Sequence, residues 1–203
     1  MSRHVHSPHH NQAPLAGDER LRRVVILCQE FMTNLAHRRG IAEAPDVTAP
    51  IYLSEVTFWN TAANNSLDIC VQNFSKIFVE RKRTEKHHWR KVVRNHDAFV
   101  AGLLRTLKLN EAEYCTYLKS MQHYRDQFIA HLDDERKMHP PELEAAKSAV
   151  QFLHAWIIDN EAMPGLLDVQ IDTAQKLLTA YEIERETAKR VYRRNCGKPM
   201  VNA

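Results

Sequence analysis

Arg125 and His131, six positions apart, are the residues of this 203-residue chain best placed to do chemistry together. A histidine titrates at about 6.5, so near neutral pH it can take a proton from a hydroxyl and return it. A guanidinium keeps its charge and can hold two oxygens of a phosphate at once. Those two groups supply two of the roles by which RNA can be cut without a metal. The base takes the proton of the ribose 2′-OH, the oxygen attacks the adjacent phosphorus, and the cation carries the growing negative charge. Asp126 can orient the guanidinium, or the histidine of a second copy. One such pair falls short of a full acid–base set. A twofold dimer that brings both helices together would place two arginines and two histidines in one cleft.

The pair needs a helix to hold it. Stepping about 100° per residue from Leu118 puts Tyr114, Leu118, Met121, Phe128, Ile129 and Leu132 within about 100° of arc. Arg125 falls in the middle of that apolar stripe, where a guanidinium rarely sits unless something holds it. His131 lies about 120° round the helix and about 9 Å further along it. A structural reading stands beside the catalytic one. Arg125 can pair with Asp126, Glu142 or Glu144, or run its alkyl stem along the core. His131 can cap or pack near a helix end, with Asp133, Asp134 and Glu135 a solvated face.

The rest of the chain has the same helical character. Glycine is scarce, at 5 residues, and no alternating strand-like run occurs. The expectation is an all-α, up-and-down bundle of five to six helices. Asp18 opens a helix that Gly40 ends near Arg39, glycine being common just past a helix. Pro50 opens a second over 50–79, on Val56, Trp59, Ala63, Leu67, Cys70, Phe74 and Ile77. A third covers 87–107 with Trp89, Val92, Val93, Phe99, Val100, Leu103 and Leu107 as one stripe. Asn110 caps a fourth over 111–136, with Glu111 and Glu113 suited to its dipole. His139-Pro140-Pro141 stops that helix, and a fifth runs from Pro141 to about Asp159. After a turn at Pro164-Gly165, a sixth over 166–194 buries Leu167, Ile171, Ala174, Leu178, Tyr181 and Ala188. Residues 1–17, with His4, His6, His9 and His10, read as a disordered tail, 18–198 as a single helical domain, and 199–203 as a C-terminal tail.

Net charge is only +3, but it is unevenly placed. One run gathers Arg81, Lys82, Arg83, Lys86, Arg90, Lys91 and Arg94 against Glu85. A second, at 189–198, holds Arg190, Arg193 and Arg194 with no acid among them. Either run can bind RNA phosphates or be a solvated helix face, and Trp89 and Tyr192 could stack on bases. Asn60 and Asn64, one turn apart, and Tyr124 are candidates to line a cleft. Cys28, Cys70, Cys115 and Cys196 stand singly, without a CxxC pair, which predicts reduced thiols and no zinc site. No carboxylate–histidine cluster at ligand spacing occurs outside the tail, so neither a metal nor a cofactor is expected. The absence of an apolar span or signal-peptide h-region predicts a cytoplasmic protein with no membrane partner.

Arg125-Asp126-Gln127-Phe128-Ile129-Ala130-His131, late in an all-α chain, resembles the signature of the HEPN superfamily: Arg, a polar residue, four residues and His. Phe58-Trp59-Asn60, and Phe128 through Asp133, resemble the abortive-infection U-type HEPN group, over roughly residues 20–160. The resemblance implies a homodimer with its motifs facing across the interface. It implies a metal-independent endoribonuclease that leaves 2′,3′-cyclic phosphate ends, often a toxin or phage-defence effector with an antitoxin partner. Many HEPN toxins that are silenced by nucleotidylation have a tyrosine two residues after the histidine, and this chain departs from that pattern with Asp133 there. Other members are non-catalytic dimerisation, interaction or nucleotide-binding modules, which is the alternative reading.

Overall fold

A computed structural model describes residues 17–44, 53–79, 86–130, 141–162 and 171–196. Six α-helices account for most of them: α1 (Gly17–Ala42), α2 (Leu53–Phe74), α3 (His96–Leu107), α4 (Glu111–Tyr124), α5 (Glu144–Trp156) and α6 (Ala174–Cys196). Three of them continue into a wider π turn, α2 over Ser75–Val79, α4 over Arg125–Ala130 and α5 over Ile157–Glu161. No strand occurs among the described residues. The architecture is an all-α bundle.

The middle of the bundle is α1. Its Leu21, Val24, Val25, Cys28, Phe31, Met32, Leu35 and Ala36 recur at helical spacing, and all are buried. With that many apolar positions per turn, more than one neighbour is needed to cover them, and α2, α5 and α6 all pack on α1. Burying each large side chain of this set contributes about 1.5–3 kcal/mol. Asp18 and Glu19 sit in the first turn, where the helix dipole favours negative charge.

Contacts between helices fix their directions. Arg38 meets Ala63, and Cys70 meets Phe31, so α2 runs back along α1. Tyr124 reaches Asp68 while Tyr117 meets Phe74, which sets α4 against α2. Phe99 packs on Phe152 and Trp156, and Arg94 meets Glu161, which sets α3 against α5. The path is therefore up (α1), down (α2), up (α3 and α4), down (α5) and up (α6). In consequence the first and last helices lie parallel, as His37–Glu184 and Gln29–Ile171 record.

Several boundaries differ from the sequence reading. Gly40 does not end α1, which continues to Ala42. Its role is tertiary: a Cβ there would meet the Ala188 Cβ at 2.8 Å and collide with the Arg185 carbonyl, so glycine lets α6 lie against α1. The expected third helix is broken. Trp89–Lys91 forms one 3₁₀ turn, capped by His88, and α3 starts afresh after Asn95, whose side chain accepts from the Ala98 N–H. Trp89, Val92 and Val93 are buried all the same, with Trp89 stacked on Phe99 at 4.7 Å. Its burial removes Trp89 as a base-stacking residue.

Asn110 caps α4 as expected, and Glu113 reaches back to the Asn110 N–H to complete a capping box. Pro141 precedes α5 rather than opening it, and α6 begins at Ala174. Ala174 is exposed, not buried. At the far end of α5, the buried Glu161 carboxylate accepts from the Arg94 N–H, the Arg94 Nε and the Trp156 Nε1. This lock ties the start of α3 to the end of α5. Pro50, the 164–165 turn and the histidines of the N-terminal tail lie outside the described residues.

Candidate functional site

The α helix ends at Tyr124, and Arg125 opens the π turn. Widening the turn changes the angular step, so positions beyond Arg125 no longer follow the phase set from Leu118. Arg125 is partly buried, with 19% of its side chain exposed, and its Nη2 lies 2.7 Å from Asp126 Oδ1. Its Nε donates to the same oxygen at 2.8 Å. Two nitrogens of the guanidinium share one carboxylate oxygen, a charge-assisted contact that orients the group. Arg125 thus pairs with Asp126, while Glu144 pairs with Arg39 and Glu142 offers its carbonyl to the Tyr117 hydroxyl.

His131, the other half of the motif, lies outside the described residues, as do Arg81, Lys82 and Arg83. Tyr124 is not a cleft residue. It is 1% exposed, and its hydroxyl makes a long contact, 3.4 Å, to Asp68 Oδ1. Burial, followed by the Asp68 carboxylate, pushes the Tyr124 pKa up to about 12. Burial likewise raises Asp68, while the Tyr124 hydrogen bond and the Arg38 charge pull it down. Arg38 therefore joins this neighbourhood, donating to the Ala63 carbonyl. Beside it, Arg38 and Arg39 line a cavity of about 160 Å³ with Leu35, Leu67, Pro141 and Leu143. Neither Arg38 nor Asp68 stood out in the sequence. The Arg38–Arg39 pair near a helix end reads as a dipole complement, and Asp68 is one acid in a long stripe.

The two basic runs do not flank Arg125 together. His87 lies near Arg23, Lys76, Lys86 and Arg20, whose charges add to burial in lowering its pKa. The 86–94 segment is therefore at the N-terminal end of α1. Arg38, beside Tyr124, is 15 residues further along that helix than Arg23, a rise of about 22 Å. Lys86, Arg90 and Lys91 are exposed, with the Arg90 guanidinium 4.7 Å over the Trp89 ring. Arg94 is not a free phosphate contact, because its guanidinium is engaged by Glu161 and by the Asn160 carbonyl. The second run does reach the Arg125 end of the bundle. Arg190, Arg193 and Arg194 are exposed on α6, whose Tyr192 packs on Trp59 of α2 at 5.4 Å. Asn60 and Asn64 are exposed on α2 as well.

Cys28 and Cys70 are buried and free, and burial raises both thiols, Cys70 to about 12. Groups of three or more histidine, cysteine or acidic side chains that could hold a metal do not occur among the described residues. No helix among them is long and apolar enough to cross a membrane. Comparison of the chain with protein-family models, with curated proteins and with solved structures finds no match.

Proposed function

We propose that this protein is a metal-independent endoribonuclease of HEPN type, working as a homodimer with the Arg125–His131 motifs facing each other. The observation that supports the reading is the fixed guanidinium of Arg125, half-buried and held through two nitrogens by Asp126, at a π turn six residues before His131. In this role Arg125 holds the phosphate oxygens that gain charge, and His131 takes the 2′-OH proton. Asp126 positions Arg125. Arg190, Arg193 and Arg194, at the Arg125 end of the bundle, supply phosphate contacts, and an antitoxin protein would restrain the activity in a cytoplasmic phage-defence system.

The test is cleavage of end-labelled RNA in EDTA by the full chain and by Arg125→Ala and His131→Ala. The parent reaction should leave 2′,3′-cyclic phosphate ends, and loss of the general base should lower its rate by roughly 10²–10⁴-fold. Equal cutting by His131→Ala would overturn the assignment. A second reading, a non-catalytic dimerisation or interaction module, is supported by the same ion pair, since a neighbouring carboxylate is also what a structural arginine needs. It predicts a folded dimer that cuts no RNA.

A further inference from the structure

A row of aromatic rings crosses from α2 to α6 and ends in solvent. Phe58 is 63% exposed, and its ring meets Trp59 edge-on at 5.2 Å. Trp59 in turn meets Tyr192 edge-on at 5.4 Å. A phenylalanine this exposed, joined to two further rings, is a surface built for contact rather than for the core. On one side of the row, α2 carries no charged residue from Thr57 to Leu67, and Asn60 and Asn64 are exposed there. On the other side, α6 carries no acid from Thr187 to Cys196, and Arg190, Arg193 and Arg194 are exposed. These three arginines make no ion pair among the described residues.

We propose that this ledge binds single-stranded RNA, with bases stacked on Phe58 and Trp59 and phosphates on Arg190, Arg193 and Arg194. Rings reach bases only where the strand is unpaired, and guanidiniums follow a backbone of regularly spaced charge. Asn60 and Asn64 present amides that hydrogen-bond to base edges. A second copy fits the face poorly. A twofold interface sets a patch against itself and would bring the same arginines of both copies together. Trp59 lies nine residues from Asp68, about 14 Å along α2, so one strand can lie on the ledge and pass the Arg125 end of the bundle. The choice of RNA over DNA rests on the nuclease reading of Arg125.

The experiment is fluorescence anisotropy of a 5′-labelled 12-nucleotide oligouridine, 2′-O-methylated so that it resists cleavage, with the full-length protein. Cleavage of the unmodified strand in EDTA is measured in parallel. Phe58→Ala should weaken binding roughly 5- to 100-fold. Arg193→Ala with Arg194→Ala should lower the salt slope of log K by about 1.4. Phe58 is mostly exposed, so its variant should keep the parent melting curve, which circular dichroism checks. Unchanged binding in both variants overturns the ledge even if RNA is cut. Binding that depends on them, with no cleavage in any form, leaves the ledge standing and removes the nuclease reading. No binding by the parent protein, duplex bound as tightly as single strand, or self-association lost in Phe58→Ala without RNA binding each overturns it.

Discussion

Gly40 of α1 lies against Ala188 of α6 where the parallel first and last helices pack: a methyl on Gly40 would lie 2.8 Å from the Ala188 Cβ. The neighbouring Arg185 carbonyl and Lys189 N–H are backbone, so the contact cannot give by moving a side-chain tip. Gly40→Ala should therefore destabilise the fold, although alanine is the better helix former by about 1 kcal/mol. Overpacking of this kind costs about 1–3 kcal/mol, and each kcal/mol moves the melting temperature by about 2–4 °C in a chain of this size. A thermal melt followed by circular dichroism measures it. A raised melting temperature would show that α6 is free to shift.

That glycine also shows where sequence reading reaches its limit. Glycine at a helix end and glycine at a helix crossing look alike in one dimension, because the partner residue is 148 positions away. The apolar pattern through Trp89, Val92, Val93 and Phe99 was similarly deceptive. All four are buried, but a 3₁₀ turn followed by a new helix buries them as well as one long helix would. Asn95 held the missing signal, an N-cap residue three positions before the amide it receives. Local chemistry was more legible. Asn110 and Glu113 announced the start of α4, and the α1 stripe announced the core. Within the site, the Arg125–Asp126 pair was readable because its partners are adjacent in sequence. The approach of Arg38 and Asp68 to Tyr124 depends on three helices and was not.

Lys108, which follows α3, adopts φ 54° and ψ 36°, and its N–H closes the helix on Leu104 and Arg105. A side chain in this left-handed region costs about 1–2 kcal/mol, and glycine escapes that cost while losing more freedom on folding. Lys108→Gly should raise stability by about 0.5–1 kcal/mol, read as a higher urea midpoint at unchanged slope. Lys108 is exposed, so no packing is lost in the exchange. A lower midpoint would mean that the lysine makes a compensating contact.

His154 gives the fold a pH dependence. It is 0% exposed on α5, and neither ring nitrogen finds a partner at hydrogen-bonding geometry among the described residues. Burial lowers its pKa, and the nearby Ile171 backbone offsets that only in part. The folded state then holds the ring neutral, while the unfolded chain takes up a proton near pH 6.5. Stability from this site is complete above that pH and is lost as pH falls towards the lower folded value, at up to about 1.4 kcal/mol per pH unit. His87, lowered first by burial and then by Arg23, Lys76, Lys86 and Arg20, adds in the same direction. Urea midpoints between pH 7.5 and pH 5 should fall for the parent and fall less for His154→Leu. Equal slopes would assign the pH dependence elsewhere.

Arg125 separates catalysis from structure, because the two roles predict opposite balances of damage. Its partner Asp126 is 46% exposed, so their ion pair is partly screened and contributes no more than about 1 kcal/mol. Loss of that pair by itself should therefore lower the melting temperature of Arg125→Ala by no more than a few degrees. RNA cleavage by the same variant should fall by orders of magnitude if the guanidinium carries phosphate charge. Asp126→Ala acts one step back. It leaves the cation in place but releases its orientation, so cleavage should fall less than in Arg125→Ala, and Arg125→Ala/Asp126→Ala should cut no worse than Arg125→Ala alone. That non-additivity is the mark of a positioning residue, since losses from two independent roles would add. A large drop in melting temperature for Arg125→Ala, with RNA uncut by the parent, would make Arg125 a structural cation and favour the interaction module.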